Sequence, residues 1–526
     1  MTDIINRRYV LYPLCFVAGA LGSLPFFSEP LFPFTFVSLI LIFIIAISRM
    51  NSGKGVFLIF FLYFLGFHIP LYSFLSRLYP YERFGFNGSE AVIVLIASCA
   101  IIPIYHSLLR SAVMIPLRFI GKNRFAFLSV AALWTLSEWI TSIGTLAFPW
   151  GTTAVSLTGF LPFVNTASLF GGYFIAFITA LICVLAATAI VFGDKSKIFA
   201  AACATLFMLN TVSGAVLSIL PDSSETVNAA LIQGNVLSNE KWVDENRDAI
   251  FDKYVSLAEE AAENGAKLII LPESAIPISY KNGGSLYRAF SDIAKRYDTT
   301  VIAGVSCYEN GVQYNSVIGV LPDGKTTDRY DKRHLVPFGE FIPYADIIGS
   351  VFPFVKEFNE SSSDYGAGDT ASVMDTPVGR YGAVVCFDSI FTAFTRESVT
   401  DGAQAIVVVT NDSWFEDSVG IYTHLRHAKL RAIECGRYIL RAANTGISAF
   451  IEPNGNVSSS TGPLTEAVLY GAISLSGSTT LYTLTGDLFV PVSFGIIVSQ
   501  IIINLYFFIR RKQKDGKNNP SRERDL

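Results

Sequence analysis

The chain has 526 residues, of which 51% are hydrophobic and only 16% charged, with 43 Phe and a mean hydropathy of +0.46. Soluble domains carry about a quarter charged residues, so this composition excludes a wholly soluble protein. A net charge of −4 offers no basic surface for nucleic acid, and seven cysteines without repeated spacing imply no disulfide framework.

The apolar residues are unevenly placed. A membrane-crossing helix needs about 20 mostly apolar residues. Seven runs precede residue 224 as candidates: 9–27, 31–47, 55–76, 91–109, 125–143, 166–192 and 198–219. An eighth covers 488–509. The first starts too near the N-terminus, and too many follow, for a simple cleaved signal peptide. Cys15, Cys99, Cys183 and Cys203 fall in these runs and read as packing residues.

Orientation follows from Lys and Arg in the connections. With a cytoplasmic N-terminus, the inner segments carry Arg7, Arg8, Arg49, Lys54, Arg110, Arg118, Lys122, Arg124, Lys195 and Lys197. A basic tail with Arg510, Arg511, Lys512, Lys514, Lys517, Arg522 and Arg524 follows the last run. The outer short loops hold only Arg77 and Arg83. This predicts a membrane domain over 1–223, an extracytoplasmic domain over 224–485, an eighth span over 486–511 and a cytoplasmic tail over 512–526. Glu138 lies inside an apolar run, where a carboxylate is costly; a functional role and a hydrogen-bonding one are both open.

Within 224–485 the pattern becomes alternating strands and helices. VNAALIQGNV (227–236) reads as a strand and 244–266 as an amphipathic helix, followed by strand KLIILPES (267–274). Helix SLYRAFSDIAKRYD and strand TTVIAGVSCYE come next, then a strand and an Asp323-Gly324 turn. RYGAVVCFD and AQAIVVVTND are two further strands, HLRHAKLRAIECGRY a helix, and ILRAANTGISAFIEPNG a strand and turn. The alternation predicts a layered α/β domain.

Three residues converge there. Glu273 follows Pro272 at the end of a strand, Lys332 lies in the loop RYDKRHLVPFGEFIP, and Cys386 ends RYGAVVCFD. Active sites of open α/β sheets gather at carboxyl ends of strands. A Cys nucleophile needs a base, and a cation that favours thiolate and steadies an oxyanion. Glu, Lys and Cys supply these roles without a metal. In isolation each cysteine reads as core packing, and Cys307 and Cys435 keep that reading. His424 and His427 have i,i+3 spacing but no matching third ligand, so a helix face is expected rather than a metal site. His334, beside Arg333, reads as loop electrostatics.

The Glu–Lys–Cys order, with LPES, DKRHLVPFGEFIP, the cysteine strand and TNDSWF (410–415), resembles the nitrilase (carbon–nitrogen hydrolase) superfamily. With the eight-span frame, FPW (148–150) and HLRHAKLRAIECGRYILRAANTGIS, it is similar to the apolipoprotein N-acyltransferases. That resemblance implies an αββα catalytic sandwich inserted in a multi-span α-helical membrane base of eight helices. It implies a fatty acyl chain carried from a phospholipid donor, through a cysteine thioester, to the α-amine of a diacylglyceryl-modified apolipoprotein acceptor in the bacterial inner membrane. No cofactor or metal is implied, and a monomer suffices. Glu273 would be the general base, Lys332 the oxyanion cation and Cys386 the nucleophile, with Glu340 and Asp388 in support. Trp150, Trp242, Phe387, Asn411 and Trp414 would serve substrate binding. Phe387-Asp388 stands where the family usually has Tyr-Glu, and Thr141 where Arg is common. If the strand persisted past Cys386, Asp388 would return to the cysteine face and Phe387 would point away. The competing readings are a membrane-anchored amidase and a catalytically inactive transporter or lipid-binding membrane protein.

Overall fold

The computed structural model describes residues 8–49, 55–79, 88–120, 126–192, 197–219, 226–351 and 365–518. Of the cations used for orientation, Arg7, Lys54, Arg83, Lys122, Arg124, Lys195, Arg522 and Arg524 lie outside the described residues, as does the 223/224 boundary.

The apolar runs form helices α1 (Arg8–Phe27), α2 (Pro33–Arg49), α3 (Val56–Leu71), α4 (Ser89–Met114), α5 (Ala126–Trp139), α6 (Ala167–Phe192) and α7 (Lys197–Leu217). Six described helices, including the one at the C-terminal end, are long and apolar enough to cross a bilayer. At the third and fifth of the eight expected runs the described helices are shorter. Among the described residues α3 has 16 and α5 has 14, or about 24 Å and 21 Å at 1.5 Å per residue. Each passes into a 3₁₀ turn, Ser73–Leu78 and Ile140–Ser142 respectively.

Arg110 also departs from expectation. It is not a loop cation but lies within α4, 2% exposed, with its guanidinium 3.5 Å from Glu138 and over the Phe64 ring. Glu138 accepts from the Thr153 backbone N–H at 3.1 Å and from the Thr153 hydroxyl at 2.5 Å. Removing one partner would strand a buried charge, so the pair braces the segment that follows FPW.

α1 and α3 cross closely because two glycines let them. A Cβ on Gly19 would fall 1.8 Å from the Tyr63 carbonyl oxygen, and one on Gly66 would fall 2.0 Å from that of Phe16. Small residues at such contacts allow backbones to pack.

The α/β domain contains two sheets. The first runs β14-β1-β2-β4-β5-β6, with β3 paired to β4 and β7 to β5; the second runs β13-β12-β11-β10-β9-β8. In the first sheet, β1 (Thr226–Gln233), β2 (Leu268–Leu271) and β4 (Thr300–Glu309) are parallel, and β4 pairs antiparallel with β5 (Val312–Val320). β3 (Ser279–Tyr280), β6 (Tyr330–Asp331) and β7 (Tyr365–Gly366) are short, and β14 is Ala467–Ser474. In the second sheet, β9 (Gly379–Val385), β10 (Ala405–Thr410) and β11 (Ile439–Ala443) are parallel, flanked by β8 (Val373–Thr376), β12 (Ala449–Ile451) and β13 (Val457–Ser460).

Central strands such as LIIL and AIVVVT are wholly buried, as strands covered on both faces must be. One core joins the sheets through Leu231, Ile270, Val385, Val407 and Leu440. A second lies under α8 (Arg247–Glu263) and α9 (Ser285–Tyr297), and a third under α10 (Thr392–Thr400) and α11 (Val419–Cys435). The layers are therefore αββα. The last helix, α12, spans Phe489–Asn518.

α11 fastens this domain to the membrane helices. Arg426 donates to the Pro25 carbonyl at 2.5 Å, Lys429 reaches Glu29 at 2.5 Å, and the Gly172 N–H donates to Glu434 at 2.8 Å. Leu430 and Ile433 belong to the same apolar core as the membrane helices.

Gly19→Val and Gly66→Val are each expected to lower the detergent-state thermal midpoint, since overpacking costs about 1–3 kcal/mol. Gly495→Ala, where a Cβ meets nothing within 4 Å, is expected to leave it unchanged. Equal midpoints in all three variants would refute the close crossing.

Candidate active site

Each candidate is placed by a strand end. β2 stops at Leu271, because Pro272 cannot donate to the ladder, and Glu273 follows, buried. Gly304 of β4 permits this turn: a Cβ there would lie 2.7 Å from the Glu273 Cα. β6 ends at Asp331, and the Lys332 N–H donates to the Asn315 carbonyl at 2.8 Å.

The Lys332 ammonium is only 1% exposed. It lies 2.9 Å from Glu340 Oε1 and 3.5 Å from Glu273 Oε1. Asn315 Nδ2 bridges the two carboxylates, donating to Glu273 at 2.6 Å and to Glu340 at 3.2 Å. The Asn411 N–H donates to Glu273 Oε2 at 2.9 Å, and the Val336 N–H to Glu340 Oε2 at 2.9 Å. Burial works against the Lys332 charge, but Glu340 and then Glu273 outweigh it and hold the ammonium above its ordinary range.

Cys386 follows β9 with φ of +48°, a left-handed conformation that costs a non-glycine residue energy and occurs at functional turns. β9 ends at Val385, and Cys386–Ile390 is a 3₁₀ turn. The expected alternation past the cysteine therefore fails. The thiol is partly exposed, yet desolvation raises its pKa well above the ordinary value; Glu273 raises it further and Lys332 opposes.

Asp388 turns instead to the lysine loop. It is fully buried and accepts from the Tyr330 hydroxyl at 2.8 Å, the Arg333 N–H at 3.2 Å and the His334 N–H at 2.8 Å. These donors bracket Lys332, so Asp388 fixes the loop that presents the ammonium. Burial pushes its carboxyl up to about 6, while Lys332 pulls the other way. Phe387 is buried, stacked on Phe148 at 5.6 Å and edge-on to Phe391. Burial, and then Lys332, push His334 down to about 4, so it is neutral at pH 7.

The remaining candidates separate. Trp242 is 54% exposed, with Lys241 Nζ 5.3 Å from its ring centroid. Trp414 is partly exposed. Trp150 is 1% exposed, enclosed by Phe74, Phe148, Phe415, His424 and His427. Asn411 holds Glu273 through its backbone, and its side-chain oxygen accepts from Asn444 at 2.7 Å. Cys307 and Cys435 are buried in β4 and at the end of α11.

Asn315, Tyr330, Asp412 and His424 hold or flank the site without having been singled out for it. Asn315 carries no motif of its own, whereas Asp412 sits inside the quoted TNDSWF. Cys386, Asp412 and His424 bring one ligand-type atom each within 4.8 Å. This donor set does not suit a cation: Arg441 and Thr410 already occupy Asp412, and Lys332 adds positive charge beside the thiol.

Residues 228–482 match the carbon-nitrogen hydrolase family model, which gives the class of the α/β domain. Residues 18–185 match the apolipoprotein N-acyltransferase N-terminal domain. An apolipoprotein N-acyltransferase of Gloeobacter violaceus is 31% identical over 74% of this chain and 74% of its own length. Those of Geobacter metallireducens and Haemophilus influenzae are 28% and 27% identical, covering 93% and 96% of this chain and 93% and 97% of themselves. The chain belongs to the apolipoprotein N-acyltransferase family and is an acyltransferase.

Asp388→Ala is expected to slow single-turnover acylation by about ten- to a hundredfold, as losing a partner to charged hydrogen bonds costs about 1.5–3 kcal/mol. Asp388→Glu, which keeps the charge, is expected to retain most of the rate. Wild-type kinetics in Asp388→Ala would reduce the residue to a packing role.

Proposed function

We propose that this protein transfers a fatty acyl chain from a membrane phospholipid to the α-amine of a diacylglyceryl-modified apolipoprotein cysteine, with Cys386 as the carrier. The observation that carries this reading is the buried Lys332 held between Glu273 and Glu340, with the Cys386 thiol under the influence of Glu273 and Lys332.

Glu273 takes the Cys386 proton as sulfur attacks the ester carbonyl. Lys332 steadies the oxyanion, which is where preorganised charge contributes most. The ester C–O bond breaks, Glu273 returns the proton to the alcohol oxygen, and a lysophospholipid leaves. The acceptor's neutral amine then attacks the thioester. The amide forms, the C–S bond breaks, and the amine proton passes through Glu273 to the sulfur. Glu340 keeps Lys332 oriented through both halves, and Asp388 secures its loop.

The thioester must be shielded, because water would hydrolyse it. A domain fastened to membrane helices by α11 supports a lipid ester, rather than a soluble amide, as the acyl source. The exposure of the Trp242 ring supports its meeting lipid or acceptor, a role given to Trp414 as well. The eight-helix frame, cytoplasmic termini, an outward-facing domain and a monomeric state belong to the same reading.

Protein reconstituted with phospholipid alone is expected to gain one fatty-acyl mass. Cys386→Ala should abolish the adduct, and Cys307→Ala should keep it. An adduct surviving in Cys386→Ala would identify another nucleophile, and release of acid from soluble amides alone would indicate a hydrolase. For orientation, single cysteines placed at positions 52, 121 and 515 of a cysteine-free chain should resist an impermeant thiol reagent added outside. Labelling at 515 would reverse the topology.

A further inference from the structure

We propose that His424 is a positioning residue for the nucleophile, holding the Cys386 carbonyl in its left-handed turn from a seat completed by the membrane base. The inference rests on Cys386 being the acyl carrier.

Cys386 at φ +48° needs surroundings that determine it. Its carbonyl oxygen has two partners. Ser389 Oγ donates at 2.7 Å, and His424 Nε2 lies at 3.1 Å. A carbonyl only accepts, so this contact is a hydrogen bond with a proton on Nε2. The same N–H is 2.9 Å from Ser389 Oγ, whose own hydrogen is directed at the carbonyl. The three groups close a small ring of donors on one oxygen. This ring fixes the peptide after Cys386, and with it the direction of the Cα–Cβ bond.

The imidazole cannot easily turn away. Nδ1 lies 2.8 Å from Asp412 Oδ1, and Asp412 is held by Arg441 at 2.5 Å and Thr410 at 2.8 Å. Gly446 makes room for that carboxylate: a Cβ there would lie 2.2 Å from Asp412 Oδ2. His424 is buried and sits in the first turns of α11, the helix that fastens the domain to the membrane helices. Its ring packs 5.8 Å from Trp150, which belongs to the FPW loop of the membrane base. His427 in turn contacts the Trp150 carbonyl through Nε2 at 3.1 Å. The catalytic sulfur is thus oriented through a chain that begins in the membrane base: Trp150, His424, the Cys386 carbonyl.

Histidine is replaceable at one nitrogen at a time. Gln extends an amide N–H to the Nε2 position, whereas Asn reaches only the Nδ1 position. In the full-length protein reconstituted in phospholipid vesicles, His424→Asn is expected to slow iodoacetamide alkylation of Cys386 and single-turnover acylation by about tenfold or more. His424→Gln should stay within about threefold of wild type in both. KM for phospholipid and the pH midpoint of alkylation should not move, because Glu273 and Lys332 are untouched. Ser389→Ala removes the second donor with a one-atom change and should slow both reactions several-fold, which keeps the test available if His424→Asn does not fold.

Wild-type rates in His424→Asn or Ser389→Ala would overturn the proposal. So would equal losses in the Gln and Asn variants, since packing rather than the Nε2 donor would then matter. A shifted alkylation midpoint would also overturn it, by making His424 an acid–base group. Failure of the wild type to acylate would count against the transferase reading alone, because the alkylation contrast does not depend on lipid.

Discussion

The buried ammonium of Lys332 organises the candidate site. Lys332 is withdrawn from water, and an ion so placed is tolerated only where opposite charge and hydrogen bonds surround it. Two carboxylates do so, from the end of β2 and from the loop after β6, and Asn315 of β5 fastens both. The lysine therefore fixes the relative positions of three chain segments distant in sequence. The ordering is finished before any substrate arrives, which is what the proposed oxyanion stabilisation requires: charge already in place where charge would develop.

The second sheet adds the sulfur, and the two halves meet through side chains that do no chemistry. Asp388 leaves the cysteine turn and grips the lysine loop, while the Asn411 N–H leaves the end of β10 and grips Glu273. The second sheet thus holds the lysine loop and Glu273 of the first. Relative motion of the sheets would disturb Glu273, Lys332 and Cys386 together, and the apolar core between them, with Ile270, Val385 and Val407, resists it.

The membrane base is part of this arrangement rather than a tether. Phe387 and Phe391 belong to the same apolar core as Trp150 and the membrane helices. The turn that displays the thiol therefore rests on the base directly. The buried Arg110–Glu138 pair stiffens the loop region from below by holding Thr153, three residues after Trp150.

Much of this was legible in the sequence. Alternating apolar and amphipathic segments gave the α/β domain, and Glu273, Lys332 and Cys386 stood out because strand ends and punctuation residues mark where side chains can meet. The order Glu–Lys–Cys with PFGE and NDSWF pointed to the family, because each block supplies a defined part of one chemistry. Composition alone fixed a membrane protein, since no soluble core needs so many long apolar runs. Other features depended on contacts that no local pattern encodes. The 3₁₀ turns at Ser73–Leu78 and Ile140–Ser142, which close α3 and α5, follow from packing rather than from any apolar run. A buried ion pair, not a loop, decided the place of Arg110. The left-handed turn at Cys386 ended the strand alternation and sent Asp388 to the lysine loop. His424 gained its partners from Cys386, Ser389 and Asp412, and its packing from Trp150, far away along the chain. Sequence determines which residues carry charge, bulk and periodicity; only tertiary structure decides which of them share an oxygen, because hydrogen bonds act over about 3 Å whatever the separation along the chain.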